Sequence, residues 1–262
     1  MNAVLRVKRT GTVARVTLTR PEVRNTFNVE LIESLRTTFE RLRNEPPDQL
    51  RAVVLSGEGK AFCAGADIEW QLNARDLPMD ENEADIRRLQ EMLATIDNCP
   101  VPVIAAVHGA ALGGGMALCC VADITLATAD AIFGFTEVKL GLIPAAISPF
   151  VLERIGEGPA RALFLTGERF GSERALRIGV VSEVLPDQAS LDARVTAVLK
   201  EIETAAPESV RNAKVMIRGQ RNMSRGDALD RTKLWAARQR VSPEGQEGLS
   251  AFLVKRPPSW RE

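Results

Sequence analysis

Two apolar spacings alternate along the first half of this chain, and their order limits the fold more than any other feature. Short apolar runs typical of β-strands occupy residues 13–19, 52–56 and 103–107. Between them, apolar side chains recur at helical spacing over residues 31–42 and 86–96. Repeated strand, helix, strand units favour parallel pairing, so this order predicts an α/β fold.

The pattern changes near Pro149. Beyond it we expect one further strand, at residues 180–184, and helices whose apolar periodicity covers residues 189–204, 207–217, 226–241 and 243–253. The sequence therefore predicts an α/β core at residues 1–190 and an all-helical region at residues 191–262. A helical appendage of this kind more often serves docking or oligomerisation than independent folding.

The composition argues against some classes of partner. The chain carries 34 basic and 34 acidic residues, so no global field favours nucleic acid or an acidic membrane. No apolar run approaches the roughly 18 residues that a transmembrane helix needs. The four cysteines have no CxxC spacing, and the adjacent Cys119 and Cys120 would bridge only with strain. We therefore predict a cytoplasmic protein in a reducing compartment.

Two segments rich in small residues are typical of loops that present backbone N–H groups to a ligand. They are residues 64–68 (AGADI) and 109–115 (GAALGGG), and a helix predicted at residues 117–120 follows the second. Glycine lets a ligand approach the backbone closely, and the first N–H groups of a helix favour an anionic oxygen. The two segments suit an oxyanion clamp, whereas the glycine cluster alone would also suit a tight turn.

Glu137 is the strongest candidate for a catalytic side chain. It lies among apolar neighbours such as Phe135 and Leu140. A carboxylate there is either a paired structural charge or a proton-transfer group with a raised pKa. The single histidine, His108, suits a structural role, because a zinc site needs further ligands of this kind. We expect no bound metal, and we expect Asp67 to be a cap or turn former.

The closing segment places Lys255 and Arg256 between Phe252 and Trp260. Such a tail is usually solvated, but its cations could hold a phosphate through charge-assisted hydrogen bonds. RNA binding is an alternative, although the sequence has no basic stripe with interleaved aromatic residues to support it.

Several ordered motifs together resemble the enoyl-CoA hydratase/isomerase, or crotonase, family. They are RPEVRN at 20–25, AFCAGADI at 61–68, the segment 102–115, Glu137 with KLGLIP at 139–144, and the closing segment 252–260. The resemblance spans nearly the whole chain. It implies a crotonase-like spiral of strand, strand, helix (ββα) units, with C-terminal helices that assemble a homotrimer or homohexamer. It also implies an acyl-CoA substrate and no separate cofactor.

The resemblance further implies roles for individual residues. Ala66 and Gly114 match the positions whose N–H groups form the family's oxyanion hole, and Glu137 matches a catalytic carboxylate. The positions that match contacts to coenzyme A are Arg24, Ala64, Asp67, Ile68, Phe252 and Lys255. The last two belong to a tail that touches the ligand of a neighbouring subunit.

The chain departs from the family's two-carboxylate hydratases at Ala117, where those enzymes carry their first catalytic glutamate. We therefore predict a hydro-lyase in which Glu137 alone moves protons during syn hydration of a trans-2-enoyl-CoA. The same carboxylate would serve a Δ3,Δ2-enoyl-CoA isomerase, and a catalytically weak CoA-binding paralogue is a third interpretation. Hydrolases and dienoyl isomerases fit less well, because Ala145 and Ala117 stand where those branches carry aspartates.

The acyl chain is predicted less directly. Residues 144–150 and 166–170 look like those of hydratases that act on branched glutaconyl thioesters, such as methylglutaconyl-CoA or carboxygeranoyl-CoA. Such a substrate carries an extra carboxylate, for which Ser148 and Arg154 are the candidate partners. The residues expected to line the acyl pocket are Trp70, Leu72 and a loop at residues 78–83.

Overall fold

The strands form two sheets. The computed structural model describes residues 4–261, and its strands in chain order are β1 Leu5–Thr10, β2 Val13–Leu18, β3 Ala52–Gly57, β4 Val103–Val107, β5 Ala110–Leu112, β6 Ile124–Thr128, β7 Ile132–Gly134, β8 Arg169–Gly171 and β9 Glu183–Leu185. The large sheet has the order β1-β2-β3-β4-β6-β9, and the small sheet has the order β5-β7-β8. After the antiparallel β1–β2 hairpin, the pairs of the large sheet are parallel, as the sequence predicts.

Helices cover the sheets and make up most of the chain's second half. They are α1 Val29–Arg43, α2 Ile68–Asn73, α3 Met79–Asp97, α4 Gly114–Val121, α5 Ser148–Ile155, α6 Glu157–Thr166, α7 Ser172–Arg177, α8 Gln188–Thr204, α9 Pro207–Gly219, α10 Arg225–Arg240 and α11 Pro243–Leu253. Asn28 caps α1, since its side chain accepts the Leu31 N–H at 2.9 Å. Within residues 4–261, no helix is both long and apolar enough to cross a bilayer.

From β4 to β7, successive strands alternate between the two sheets. β4 belongs to the large sheet and β5 to the small one, and the same holds for β6 and β7. Helix α4 then begins two residues after β5 ends. The chain therefore winds as strand, strand, helix units, and its turns bring residues 64–68 close to residues 109–115.

Apolar packing holds the core together. Phe39 of α1 and Leu93 of α3 belong to one buried apolar cluster that includes strands of the large sheet. A smaller cluster joins α8 to this sheet through Leu191 and Val195. Burial of one side chain of this size contributes about 2 kcal/mol. The predicted division between residues 190 and 191 stays a prediction; α8, which spans it, packs on the sheet of the core.

Helix α9 attaches to the core through cations. Lys214 pairs with Asp123 at 2.5 Å, and Arg218 pairs with Asp97 at 2.6 Å. Arg211 donates to backbone carbonyls of the core. These cations are spaced three and four residues apart, so they lie on one face of α9. Exposed apolar side chains of the C-terminal helices are Val215, Ile217, Leu229, Leu234, Leu249, Phe252 and Leu253.

Several segments differ from the sequence predictions. The strand expected at residues 180–184 is displaced toward the C-terminus as β9. The sequence does not predict β8, because a strand of 3 residues is too short to show periodicity. The loop expected at residues 78–83 is instead the start of α3, with Pro78 at the N-cap position. Helical apolar spacing begins there only at Ile86.

Candidate active site

The two loops rich in small residues lie side by side. Cys63 pairs with Ala111 in a short parallel bridge, and the Cys63 N–H donates to the Ala110 carbonyl at 3.0 Å. Ala66 lies three residues beyond Cys63, and Gly114 lies three residues beyond Ala111. The bridge therefore brings these two residues to the same end of the paired segments.

The N–H group of Ala66 is left free by the fold. Ala66 forms a second parallel bridge with Phe27, in which the Phe27 N–H donates to Gly65 O at 2.8 Å and the Asp67 N–H donates to Phe27 O at 2.9 Å. In such a bridge the N–H of the central residue points to the opposite side. Among the described residues the Ala66 N–H has no acceptor, so it is available to a ligand.

The N–H group of Gly114 is available for a different reason. Gly114 is the first residue of α4, and the first N–H groups of a helix have no intrahelical acceptor. A Cβ at Gly114 would lie 2.6 Å from the Phe27 ring, and a Cβ at Gly65 would lie 3.6 Å from the Gly114 nitrogen. Gly113 has a φ of 47°, which favours glycine. Together with the helix dipole, this arrangement favours an anionic oxygen beside Gly114.

Glu137 lies against the glycine loop. A Cβ at Gly113 would be 3.0 Å from Glu137 Oε1. Its other oxygen, Oε2, is buried and has no hydrogen-bond partner among the described residues. Burial raises the pKa of Glu137 above its usual 4.5, and the hydrogen bond from its own backbone N–H opposes this shift more weakly. A carboxylate with a raised pKa and an unused oxygen suits proton transfer better than a structural ion pair.

One cleft of about 660 Å³ contains both backbone donors and Glu137. We call it the main cleft. Ala66, Gly114, Leu72 and the apolar segment 142–147 all line it. Ala117 lies one turn into α4 and is fully buried in the apolar core, outside the main cleft. The position of the family's first glutamate therefore offers this cleft no functional group.

A second cleft of about 750 Å³ adjoins the main cleft and shares Ala64 and Ile68 with it. We call it the basic cleft, because Arg24, Lys139 and Arg169 line it, alongside two glutamates. Of these cations the sequence analysis selects only Arg24. The other two lie inside the motifs KLGLIP and TGERF, but only the fold brings them together.

Asp67 has a structural task beside these clefts. One carboxylate oxygen accepts the Glu69 N–H and caps α2, as the sequence predicts, and the other pairs with Arg20 at 3.1 Å. The Arg24 carbonyl accepts the Ala64 N–H at 3.0 Å, which ties the turn carrying Arg24 to the same loop. Both oxygens of the Asp67 side chain therefore already have hydrogen-bond partners within the chain. The contact of Asp67 with coenzyme A stays a prediction.

Phe252 and Lys255 lie outside both clefts of their own chain. The Phe252 side chain is exposed, and Lys255 follows the end of α11 with a φ of 57°. Their contact with the ligand of a neighbouring subunit stays a prediction.

Three side chains expected near the acyl group have other partners. Arg154 donates to the Gly179 carbonyl at 2.9 Å, and Ser148 donates to the carbonyl three residues before it at 2.9 Å. Trp70 donates to Asp85 at 2.7 Å. None of the three lines the main cleft, so these expectations are wrong. Leu72 does line it, as predicted.

The histidine and the cysteine nearest the site have no place in the chemistry of the main cleft. His108 Nε2 lies 2.9 Å from the Gly59 carbonyl, which suits the structural role expected for it. Burial raises the pKa of the Cys63 thiol to about 12. This thiol therefore stays protonated and unreactive at neutral pH.

Comparison with known proteins identifies the family. A family model described as "Enoyl-CoA hydratase/isomerase" matches residues 8–262. The chain belongs to the enoyl-CoA hydratase/isomerase family. Enzymes of this family act on acyl-CoA substrates, which agrees with a cleft that presents two backbone N–H groups and one carboxylate.

Individual members of the enoyl-CoA hydratase/isomerase family resemble the chain over most of its length. Enoyl-CoA hydratase ACTT6 of Alternaria alternata is 33% identical, with 95% of this chain and 80% of that protein covered. The crystal structure of an enoyl-CoA hydratase from Shewanella pealeana has a TM-score of 0.92 at 34% identity and covers 98% of this chain and 96% of that one. Pseudomonas aeruginosa AtuE has a TM-score of 0.94 at 35% identity, with 99% and 100% covered. This chain is thus an enzyme with the crotonase fold, as the sequence predicts.

Proposed function

We propose that this enzyme adds water to a trans-2-enoyl-CoA and forms a 3-hydroxyacyl-CoA. One observation carries the proposal: the free N–H groups of Ala66 and Gly114 share a cleft with Glu137, whose Oε2 is buried without a partner. Donors for an oxyanion and a group that can move protons are what a hydration through an enolate requires.

In the proposed reaction the thioester carbonyl oxygen accepts hydrogen bonds from Ala66 and Gly114. Each such donor lowers the barrier by about 3 kcal/mol as negative charge develops on that oxygen. Glu137 takes a proton from water while the water oxygen bonds to the β-carbon, and the electrons of the double bond pass to the carbonyl oxygen. The protonated Glu137 then delivers a proton to the α-carbon on the same face. The result is a syn addition, and Glu137 returns to its ionised state.

The phosphates of coenzyme A would occupy the basic cleft, where Arg24, Lys139 and Arg169 supply positive charge. Ala64 and Ile68 line both clefts and would hold the stretch of the ligand between them. The proposed reaction needs no cofactor beyond the coenzyme A of the substrate.

We also propose a homotrimer or homohexamer in the cytoplasm. The exposed apolar side chains on α9 to α11 would be covered by neighbouring copies, and Phe252 and Lys255 would reach the ligand of one of them. All four cysteines are free and buried, which fits a reducing compartment.

Isomerisation of a Δ3-enoyl-CoA to the Δ2 form is the second candidate function. Ala117 favours it, because the absence of a second carboxylate leaves a single group to shuttle one proton between the α- and γ-carbons. We also propose that the acyl chain is of a branched or glutaconyl type. Ser148 and Arg154 bind backbone carbonyls instead, so other residues would have to bind its extra carboxylate.

The test is a panel of straight, branched and carboxylated 2-enoyl- and 3-enoyl-CoA thioesters, with products identified by mass spectrometry and chromatography. We expect 3-hydroxyacyl-CoA from 2-enoyl substrates. Glu137→Gln keeps the shape of the side chain and should lower kcat by about 10²- to 10⁴-fold with CoA-ester binding intact.

Conversion of 3-enoyl to 2-enoyl thioesters without hydroxyacyl product would show that the enzyme is an isomerase and not a hydratase. Equal rates for the wild type and Glu137→Gln would overturn the proposed mechanism, and no turnover of any thioester would favour a CoA-binding paralogue. Glu157→Gln is a matched control: Glu157 is an exposed glutamate of α6 that lines neither cleft, so its loss should leave kcat unchanged.

A further inference from the structure

One wall of the main cleft carries three polar side chains. This wall consists of α2, the 3-10 turn Ala74–Asp76 and the first half of α3, and its polar members are Gln71, Arg75 and Asn82. Leu142 and the following residues up to Ile147 form an apolar wall of the same cleft. We call Gln71, Arg75 and Asn82 the polar wall.

The polar wall has unused hydrogen-bonding capacity. Gln71 and Asn82 are half-buried, and neither carboxamide has a hydrogen-bond partner within residues 4–261. Both carboxamides keep access to solvent, so each can donate to or accept from a ligand without giving up a hydrogen bond within the chain. Arg75 pairs with its neighbour Asp76, but both side chains are exposed and such a pair contributes little. The Arg75 guanidinium is therefore available to turn toward the cleft.

Two charged side chains of the main cleft lie at different places along it. Arg75 and Glu137 are the charged side chains among the described residues that line it. Glu137 lies against Gly113, at the oxyanion donors, whereas Arg75 lies on the helical wall one turn beyond Gln71. A bound acyl chain would have its thioester beside Glu137 and would extend from there along the cleft.

We propose that the polar wall binds a carboxylate at the far end of the acyl chain. Guanidinium and carboxamide groups together supply several N–H donors, and a guanidinium fork matches the two oxygens of a carboxylate. The substrate class is therefore an enoyl-CoA whose acyl group ends in a carboxylate. This inference rests on the proposed function, since it needs the thioester at Ala66 and Gly114.

The experiment compares the binding of two unreactive saturated esters, glutaryl-CoA and valeryl-CoA, to the full-length protein by isothermal titration calorimetry. They have the same chain length and differ in a terminal carboxylate or methyl group. A charge-assisted hydrogen bond predicts that the wild type binds glutaryl-CoA about tenfold more tightly. Arg75→Gln should reduce this preference to about twofold or less, with valeryl-CoA affinity unchanged, while Arg75→Lys should retain part of it.

Arg87→Gln is the matched control, because Arg87 is an exposed arginine on α3 that does not line the main cleft. It should leave the preference for glutaryl-CoA in place. Equal or weaker binding of glutaryl-CoA by the wild type would overturn the inference, and so would an equal loss of both esters in Arg75→Gln. Saturated esters cannot be hydrated or isomerised, so this result does not depend on the reaction. Failure of the proposed function would appear separately, as absent turnover of all enoyl-CoA thioesters.

Discussion

Helices α1 and α3 bury apolar faces in the core, whereas α9 attaches to the same core through a row of cations. Phe39 and Leu93 are fully buried, but the buried side chain of α9 is Lys214, and no residue of α10 is buried. The core thus buries a large apolar cluster within one chain. Apolar side chains of the C-terminal helices are exposed, and we propose that another surface covers them.

The predicted site residues are divided between these two regions. The proposed oxyanion donors and Glu137 belong to the core, and the two predicted contacts at Phe252 and Lys255 belong to the C-terminal region. We therefore expect the chemical step to depend on the core and ligand affinity to depend partly on assembly.

The largest expected effect is in the core. Gly115→Ala would place a Cβ 2.1 Å from the Cys63 carbonyl oxygen, where backbone must move. We expect the free energy of unfolding to fall by more than about 3 kcal/mol, or no folded protein at all. Gly158→Ala is the control, because nothing lies within 4 Å of a Cβ in this position of α6. Chemical denaturation checks both variants, and equal stabilities would contradict the strict packing that we assign to the core.

A smaller effect is expected where α9 docks. Lys214→Met removes the partner of Asp123, and the loss should be about 2 to 3 kcal/mol, below the full value for a buried pair because Asp123 is partly exposed. Adding Asp123→Asn to Lys214→Met should recover part of this loss, because the buried charge is then gone. Denaturation and limited proteolysis of α9 are the measurements. If the double variant is no more stable than the single one, the uncompensated charge is not the cause.

Lowering the pH should affect the core and the C-terminal region at different pH values. Burial raises the pKa of Glu137, so its basic form is lost while the pH is still above 4.5, and kcat/KM should fall there. In the C-terminal region, hydrogen bonds from Arg256 hold the pKa of Glu247 at about 2. The stability from this contact is present above the ordinary glutamate pKa and is lost as the pH falls toward 2. The pH profile of kcat/KM and acid unfolding test this order; an activity limb below pH 4.5 would contradict it.

The smallest effect on one chain is expected at the exposed apolar residues. Leu234→Asp on α10 should change the stability of a dissociated chain by less than about 0.5 kcal/mol, because Leu234 is half exposed. The same change should lower the molecular mass measured by light scattering, since the charge would lie in the subunit interface. A wild type that is monomeric at all concentrations would overturn the proposed assembly.

Local signals account for what the sequence predicts correctly. Asn28 before an amphipathic run identifies the start of α1, and the small residues around Ala66 and Gly114 indicate backbone donors because they are contiguous in the chain. Glu137 stands out for the same reason, as a carboxylate among apolar neighbours, and its catalytic role stays a prediction. The family resemblance then supplies the order of these motifs.

The main cleft is assembled from distant segments, and this explains what the sequence does not predict. Arg75 and Leu142 line the same cleft although 67 residues separate them in the sequence, and no periodicity links them. Lys139 and Arg169 both line the basic cleft, although α5 and α6 lie between them in the chain. Ser148 and Arg154 are polar and close in sequence to the cleft, but the fold gives both of them backbone carbonyls as partners.

The proposed oxyanion donors belong to the main chain, and this affects how the protein can change. Every residue except proline carries a backbone N–H, so most substitutions at Ala66 would leave the donor chemically intact. The group that we propose to move protons, in contrast, is a side chain that one codon can replace. On the proposed mechanism, a mutation at Glu137 could change the reaction while the backbone donors still bind the thioester, so one cleft could serve several related reactions.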